Sequence, residues 1–394
     1  MNFLSEEKRA KLSEVLFYVA LSIELGIMLL EKTVIPLHDC QSYVYRVTFL
    51  LTLIVVLLMK HDKKEWIVIG AVCLFTFVSY RISGKNDLLR YAVFMMAARD
   101  IDLKKAMKYI FYVSVAGYAL IALLSVVGKL GVVAPPPRDY GRGDIEVRYE
   151  FGFGHANTFY GSVYAFVLLW MWIYGEAASL REWLLVFALN FMASVVSATR
   201  TGMLVSVLTF GVGFLARFYK KIKECKIVYV LTALVTPVFC VAFSVWSAVV
   251  SKVPRYEFEH KHYDLIEWID DKLNNRIHDL YRETEKHAGS IWTWKLFSDG
   301  NSEETFDMGW VRIFYWYGII PAIVISALIV LIIYICYKKK DVWTLIIILS
   351  LSIYTVVEAT FVSEYIGRLF ILPVIGVYLG EFVNRKKDGE CLRS

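Results

Sequence analysis

Four arginines, Arg148, Arg200, Arg276 and Arg312, lie in or beside polar stretches of a chain that is otherwise mostly apolar. A guanidinium stays charged at any working pH, and its planar fork of donors matches phosphate oxygens bidentately. Several such forks on one side would hold a pyrophosphate and stabilise the negative charge that builds on it as it leaves, without a metal. The same chemistry needs a general base for the incoming hydroxyl. Asp307 is the first candidate and His155 the second. Glu358 and Arg368 flank the short turn VSEYIG. Each costs about 2.5–3.5 kcal/mol inside a bilayer, so each is expected to pair or to face a polar cavity. Pairing of Glu358 with Arg368, Arg90 or Arg46 would meet that need as well as a catalytic role. The cysteines, Cys40, Cys73, Cys225, Cys240, Cys336 and Cys391, show neither metal-ligand nor disulfide spacing. No metal and no cofactor is expected.

The elements that must position these side chains are membrane helices. Of 394 residues, 58% are hydrophobic, and the mean hydropathy is +0.53. A soluble chain could not hide that much apolar surface. The apolar runs are continuous rather than alternating, which excludes a β-barrel. The expected class is a single all-α polytopic domain over 1–394 with twelve spans. These are roughly 14–30, 43–59, 66–81, 86–99, 107–128, 157–175, 181–198, 201–217, 226–250, 309–336, 342–360 and 365–383. The first apolar run has no small-residue cleavage site after it, so a retained span is expected. Lysine and arginine crowd alternate turns, from Lys60, Lys63 and Lys64 to Lys338, Lys339 and Lys340, whereas the other short turns hold only Lys32, Arg81, Lys85 and Arg200. That asymmetry places both termini in the cytoplasm and two long loops, about 129–156 and 251–308, outside. It also assigns the net charge of +6 to membrane orientation rather than to nucleic acid.

In the first loop, APPPRDYGRGD is stiffened by proline and turned by glycine. Beyond it Ile145, Val147, Tyr149, Phe151 and Phe153 alternate with polar or small residues, the pattern of a short extended piece against other structure. Gly152 and Gly154 permit close backbone approach or an ordinary re-entry turn, and Asn157 or Thr158 can cap the next helix. Arg200 tips the hairpin SVVSATRTGMLVSV and can bind phosphate or snorkel to headgroups. In the large loop Ile266, Ile269, Leu273, Ile277 and Leu280 recur at helical spacing. They predict one amphipathic surface helix that aims Arg276 downward, with Asp270, Asp271, Asn274 and His278 on its solvated face.

Four of these stretches resemble motifs of the O-antigen polymerase and O-antigen ligase superfamily. Arg148 followed by FGFGHAN is similar to an arginine-then-GFGHPN segment of capsular and exopolysaccharide polymerases, with Ala156 where proline is usual. SATRTG resembles a Ser-x-x-Arg-x-Gly hairpin, and Arg276 in NNRIHDLY matches a large-loop arginine. Asp307-Met308, nine residues and then Gly318 keep the spacing of the ligase His-then-amide motif, with Asp307 in place of histidine and Met308 departing from the amide. The resemblance implies a glycosyltransferase in the bacterial cytoplasmic membrane that joins undecaprenyl-pyrophosphate-linked oligosaccharide repeats on the outer face. Arg148, Arg200 and Arg276 would bind pyrophosphate, and Asp307 would act as base. Arg312, Glu358 and Arg368 would give support. A flippase and a chain-length regulator would be its pathway partners, and membrane lipid its surroundings.

Two rivals stay open: a ligase of the same superfamily, and a twelve-span transporter or lipid-oligosaccharide flippase. Transporters commonly show two repeated halves with polar groups at mid-membrane, and no half-to-half similarity is visible in this chain. Asp100-Ile101-Asp102 has metal-pair spacing, but it sits in a short turn with Lys104 and Lys105 and reads as a charged turn.

Overall fold

The computed structural model describes residues 5–35, 37–139, 145–252, 263–282, 287–300 and 304–384. The basic tail 385–394 with Cys391, and parts of both long loops, lie outside the described residues. Among the described residues the architecture is a helical bundle of sixteen α-helices, α1(Glu6–Glu31), α2(His38–Leu58), α3(Lys63–Ser83), α4(Asp87–Ala97), α5(Leu103–Val126), α6(Ala156–Tyr174), α7(Leu180–Val196), α8(Arg200–Phe218), α9(Lys226–Ala233), α10(Val241–Val250), α11(Tyr263–Lys272), α12(Arg276–Arg282), α13(Gly309–Tyr317), α14(Ile319–Lys339), α15(Val342–Tyr354) and α16(Leu369–Asn384). Between α5 and α6, β1(Arg138–Asp139) pairs antiparallel with β2(Ile145–Glu146).

Among the described residues nine helices are long and apolar enough to cross a membrane. This is a polytopic helical membrane protein. Three of the twelve expected spans are shorter. The fourth, α4, has 11 residues, about 16 Å of helix against a hydrocarbon core of about 30 Å. α7 has 17 residues, and α15 has 13. The tenth expected span is broken: Gly318, at φ 100°, separates α13 from α14. α9 and α10 form one continuous apolar length through a wide turn at 234–240, where Pro237 removes a backbone donor.

α15 is the innermost helix. Nearly all its side chains are buried, as expected of a helix apolar on every side. Its backbone leaves helical geometry after Tyr354, and residues 355–363 turn beneath the bundle surface, with Thr355 and Thr360 both bonded to Leu351 O. Irregular backbone at such a depth persists only where protein or a cavity surrounds it. α13 lies against this turn. Gly309 N donates to Thr355 O at 2.9 Å, and a Cβ on Gly309 would sit 2.9 Å from Ala359 Cα.

The Gly318 break makes a direct prediction. A Cβ there would stand 2.6 Å from Phe297 Cα on a backbone that L side chains rarely adopt. Gly318→Ala combines strain of about 1–3 kcal/mol with overpacking of about 1–3 kcal/mol. A thermal-unfolding midpoint several degrees below wild type in detergent is the expected result; an unchanged midpoint would show that the break is not a constraint.

Candidate functional site

Several elements converge at one end of the bundle. Arg276 opens α12, and its position follows from two features of the sequence. Asn274 and Asn275 both take left-handed backbone, at φ 58° and 62°, the conformation that asparagine tolerates best among residues with a Cβ. Asp270 then turns back, its Oδ1 accepting from Ile277 N at 2.8 Å and His278 N at 3.3 Å. The single surface helix expected over this stretch is therefore two helices with a corner. Asp270 is no part of a solvated face; it is 4% exposed and caps α12. Ile277 and Leu280 are buried as the periodicity predicts.

From this corner the Arg276 guanidinium reaches two carboxylates. It forms an ion pair with Asp307 and donates from Nη2 to Glu358 Oε1 at 2.9 Å. The same Glu358 oxygen accepts from Asn157 Nδ2 at 3.1 Å. Asn157 Oδ1 accepts from Thr199 Oγ1 at 3.3 Å, and Thr199 accepts from Ser197 at 3.0 Å. One chain of polar contacts thus joins the large loop, the turn after α15, α6 and the α7–α8 hairpin. Of the two carboxylates, Glu358 is 14% exposed and Asp307 is 50% exposed. Asp307 is therefore the more accessible of the two.

Arg148 and Arg200 meet through a residue that the motifs do not mark. Glu146 accepts from Arg148 Nη2 at 3.1 Å through Oε2 and from Arg200 Nη2 at 3.1 Å through Oε1. Arg148 is buried, whereas the Arg200 side chain is 68% exposed. The segment is tied to the hairpin by Tyr149 N, which donates to Val196 O at 3.1 Å, and to the stretch after α5 by Glu150 N, which donates to Val133 O at 2.8 Å. Its alternation is real, but over 145–150 its sense is inverted, whereas Phe153 beyond it is buried. Arg148 and Glu150 point in, while Ile145, Val147 and Tyr149 are exposed. The polar face packs on the site because charges need partners more than three apolar side chains need cover. Glu146 was legible, since it lies two residues before Arg148 on the same face of an extended segment.

The glycines act as close-approach points. A Cβ on Gly152, at φ 82°, would lie 3.0 Å from Leu130 O. Gly202 in SATRTG lets Tyr160 lie against α8, where its hydroxyl donates to Gly202 O at 2.9 Å. His155 is the N-cap of α6, its Nδ1 accepting from Asn157 N at 3.1 Å. That bond assigns the remaining proton to Nε2. Burial first, then Arg148, Arg138 and Arg276, hold the imidazole below its usual pKa.

Arg312 and Arg368 are set in other surroundings. Arg312 stacks over Trp316 at 3.9 Å from the ring centroid. Arg368 donates to Val362 O and lies 4.6 Å from the Tyr91 ring centroid. Glu358 pairs with neither Arg368 nor Arg90. The latter faces Glu24 at 3.7 Å and Asp87 at 3.6 Å. No group of three or more metal-ligating side chains occurs among the described residues. No family model, no curated protein and no solved structure matches the chain.

His155 makes the site sensitive to acid. A folded pKa below the unfolded value near 6.5 means that the unfolded chain binds more protons, so stability is present above about pH 6.5 and falls as pH drops towards the folded pKa. His155→Asn keeps a capping side chain but removes the titration. Unfolding midpoints between pH 7.5 and 5.5 are expected to fall more steeply for wild type than for His155→Asn; parallel curves would remove His155 as the source.

Proposed function

We propose that this protein is a glycosyltransferase of the polysaccharide-polymerase kind. On this reading it joins oligosaccharide repeats carried on undecaprenyl pyrophosphate at the outer face of a bacterial cytoplasmic membrane, both termini lying inside. The observation that carries the reading is the convergence of Arg148, Arg200 and Arg276 with Asp307 and Glu358, brought from separate elements to one end of a membrane bundle. The motif resemblance adds the choice of sugar chemistry, and it rests on those residues alone.

In the proposed reaction Arg148 and Arg200 hold the donor pyrophosphate, displacing Glu146. An acceptor hydroxyl on a second lipid-linked repeat gives its proton to Asp307 as its oxygen bonds to the anomeric carbon from the face opposite the phosphate. The carbon–phosphate oxygen bond breaks, its electron pair leaves with the pyrophosphate, and the configuration inverts. Arg276 links the two halves of the step. While Asp307 is ionised it shares the guanidinium with Glu358. Once Asp307 is protonated that attraction weakens, and the Nη1 side of Arg276, with Nη2 still on Glu358, can turn to the leaving phosphate as negative charge develops there. His155, with Nδ1 engaged in the cap, positions Asn157 and through it Glu358.

Purified enzyme with a synthetic lipid-linked repeat tests this. A ladder of products is expected, unchanged by EDTA. Transfer only to a different acceptor would make it a ligase, translocation without new bonds a transporter, and a requirement for divalent metal would overturn the arginine scheme. Arg276→Lys keeps the charge but loses the fork, and Asp307→Asn loses the base. Each is expected to lower turnover by about 10²-fold or more, with the protein still folded and expressed. Wild-type chain growth in both variants would sink the reading.

A further inference from the structure

One cavity among the described residues has none of the candidate site's ion-paired side chains in its lining. It is an apolar groove of about 390 Å³. α4 and α16 form its floor, with Ala92 and Ile371 buried there, and α3 and α14 form its walls. Along α14 it runs from Pro321 to Ile332, about 17 Å at 1.5 Å per residue. Among its lining residues only Arg368 carries a charge, and it stands at the end near Phe361 and Val362.

That end is continuous with the candidate site. Phe361 and Val362 follow Glu358 by three and four residues in the turn after α15, and α13 carries Ile313 and Tyr317 into the groove from a start beside Asp307. An open apolar slot inside a bilayer does not stay empty; hydrocarbon fills it. Its length suits a hydrocarbon chain, and its one charged lining residue, Arg368, stands at the end nearest the turn that carries Glu358.

We propose that the groove between α3 and α14 holds the hydrocarbon tail of the lipid-linked substrate, with Arg368 at its head-group end. The proposal rests on the reading of this protein as acting on a lipid pyrophosphate. It assigns a function to Arg368 that does not involve Glu358, and it explains why a helix too short to span is kept between two that do.

The test uses full-length purified protein in detergent and native mass spectrometry, with undecaprenyl pyrophosphate, geranyl pyrophosphate and phosphatidylglycerol as separate probes. Ala71→Trp on one wall and Val324→Trp on the other place bulk at the mouth of the groove, where both residues are exposed. Leu74→Trp, on α3 but outside the lining, is the control. Each groove variant is expected to retain at least tenfold less undecaprenyl pyrophosphate than wild type and the control, with geranyl pyrophosphate unaffected. Retention equal to wild type in both groove variants overturns the proposal, as does equal retention of phosphatidylglycerol by wild type or no retention of undecaprenyl pyrophosphate. If the groove variants bind normally while Arg276→Lys still stops chain growth, the groove falls and the glycosyltransferase reading stands. If Arg276→Lys polymerises normally while the groove variants lose the lipid, the reading falls and the groove stands.

Discussion

Arg276 is the joint on which the candidate site depends. Its guanidinium serves Asp307 and Glu358 together, two carboxylates that would otherwise repel. One positive and two negative charges leave this trio with an excess negative charge, so it is no ready anion site. Removing the arginine from a partly buried pair of carboxylates would cost about 3–5 kcal/mol, because a buried charge without a partner is more costly than the pair itself is favourable. The loop helix, the turn after α15, α6 and the α7–α8 hairpin are all held in register by groups that satisfy this arginine directly or through Asn157 and Thr199. In a low-dielectric setting such a network is stiff when complete and fragile when broken.

The two ends of the bundle are built differently. At the far end, helices begin with regular caps: Asp62 and Ser179 form capping boxes, and Asp102 and Asp341 cap α5 and α15. Lys340, at φ 54°, is an unusual backbone at this end, but most of those among the described residues lie at the site end. Phe151, Ala198, Asn274 and Asn275 all have positive φ without being glycine, and Gly318 stands at φ 100°. Ala198, next to Thr199 and Arg200, is the most telling, since alanine has no side-chain amide to offset the left-handed conformation. Strain of this kind persists only where the surroundings impose it, and here it surrounds the ion pairs.

This contrast explains what could be read in advance. Helix class, both long loops and the apolar face of α12 follow from hydrophobic period, because burial of that face is decided by side chains within a turn of one another. Arg148, Arg200, Arg276, Asp307 and His155 were identifiable by type and by place on one side of the chain. The corner at Asn274 and Asn275 was visible as two adjacent asparagines, yet the apolar spacing through Leu273 and Ile277 masks it. The shortness of α4 was legible in part: the fourth expected span is brief and opens on Asp87 and Arg90, which marks it as a candidate for a re-entrant helix, whereas the pairing of Arg90 with Glu24 on α1 was not visible. The pairing of Glu358 with Arg276 was equally hidden, because it joins residues 82 apart through a turn that no periodicity marks.

Charge balance then decides where an anion can enter. Arg148, Arg200 and Arg276 are matched by Glu146, Asp307 and Glu358, three cations against three anions. A phosphate therefore cannot simply dock; it must replace a carboxylate. The contacts are unequal in this respect. Arg276 and Glu358 are both largely buried, and separating them would strand charge. Arg200 is mostly in solvent, where an ion pair is worth about 0–1 kcal/mol. Glu146 is borne on a strand of only two residues. The weakest contact is thus the one between Glu146 and Arg200. An incoming anion would break it first, gain Arg148 next, and reach Arg276 only when something neutralises Asp307. On the proposed reading, proton transfer to Asp307 would do that and would place the last cation in service as the leaving group departs.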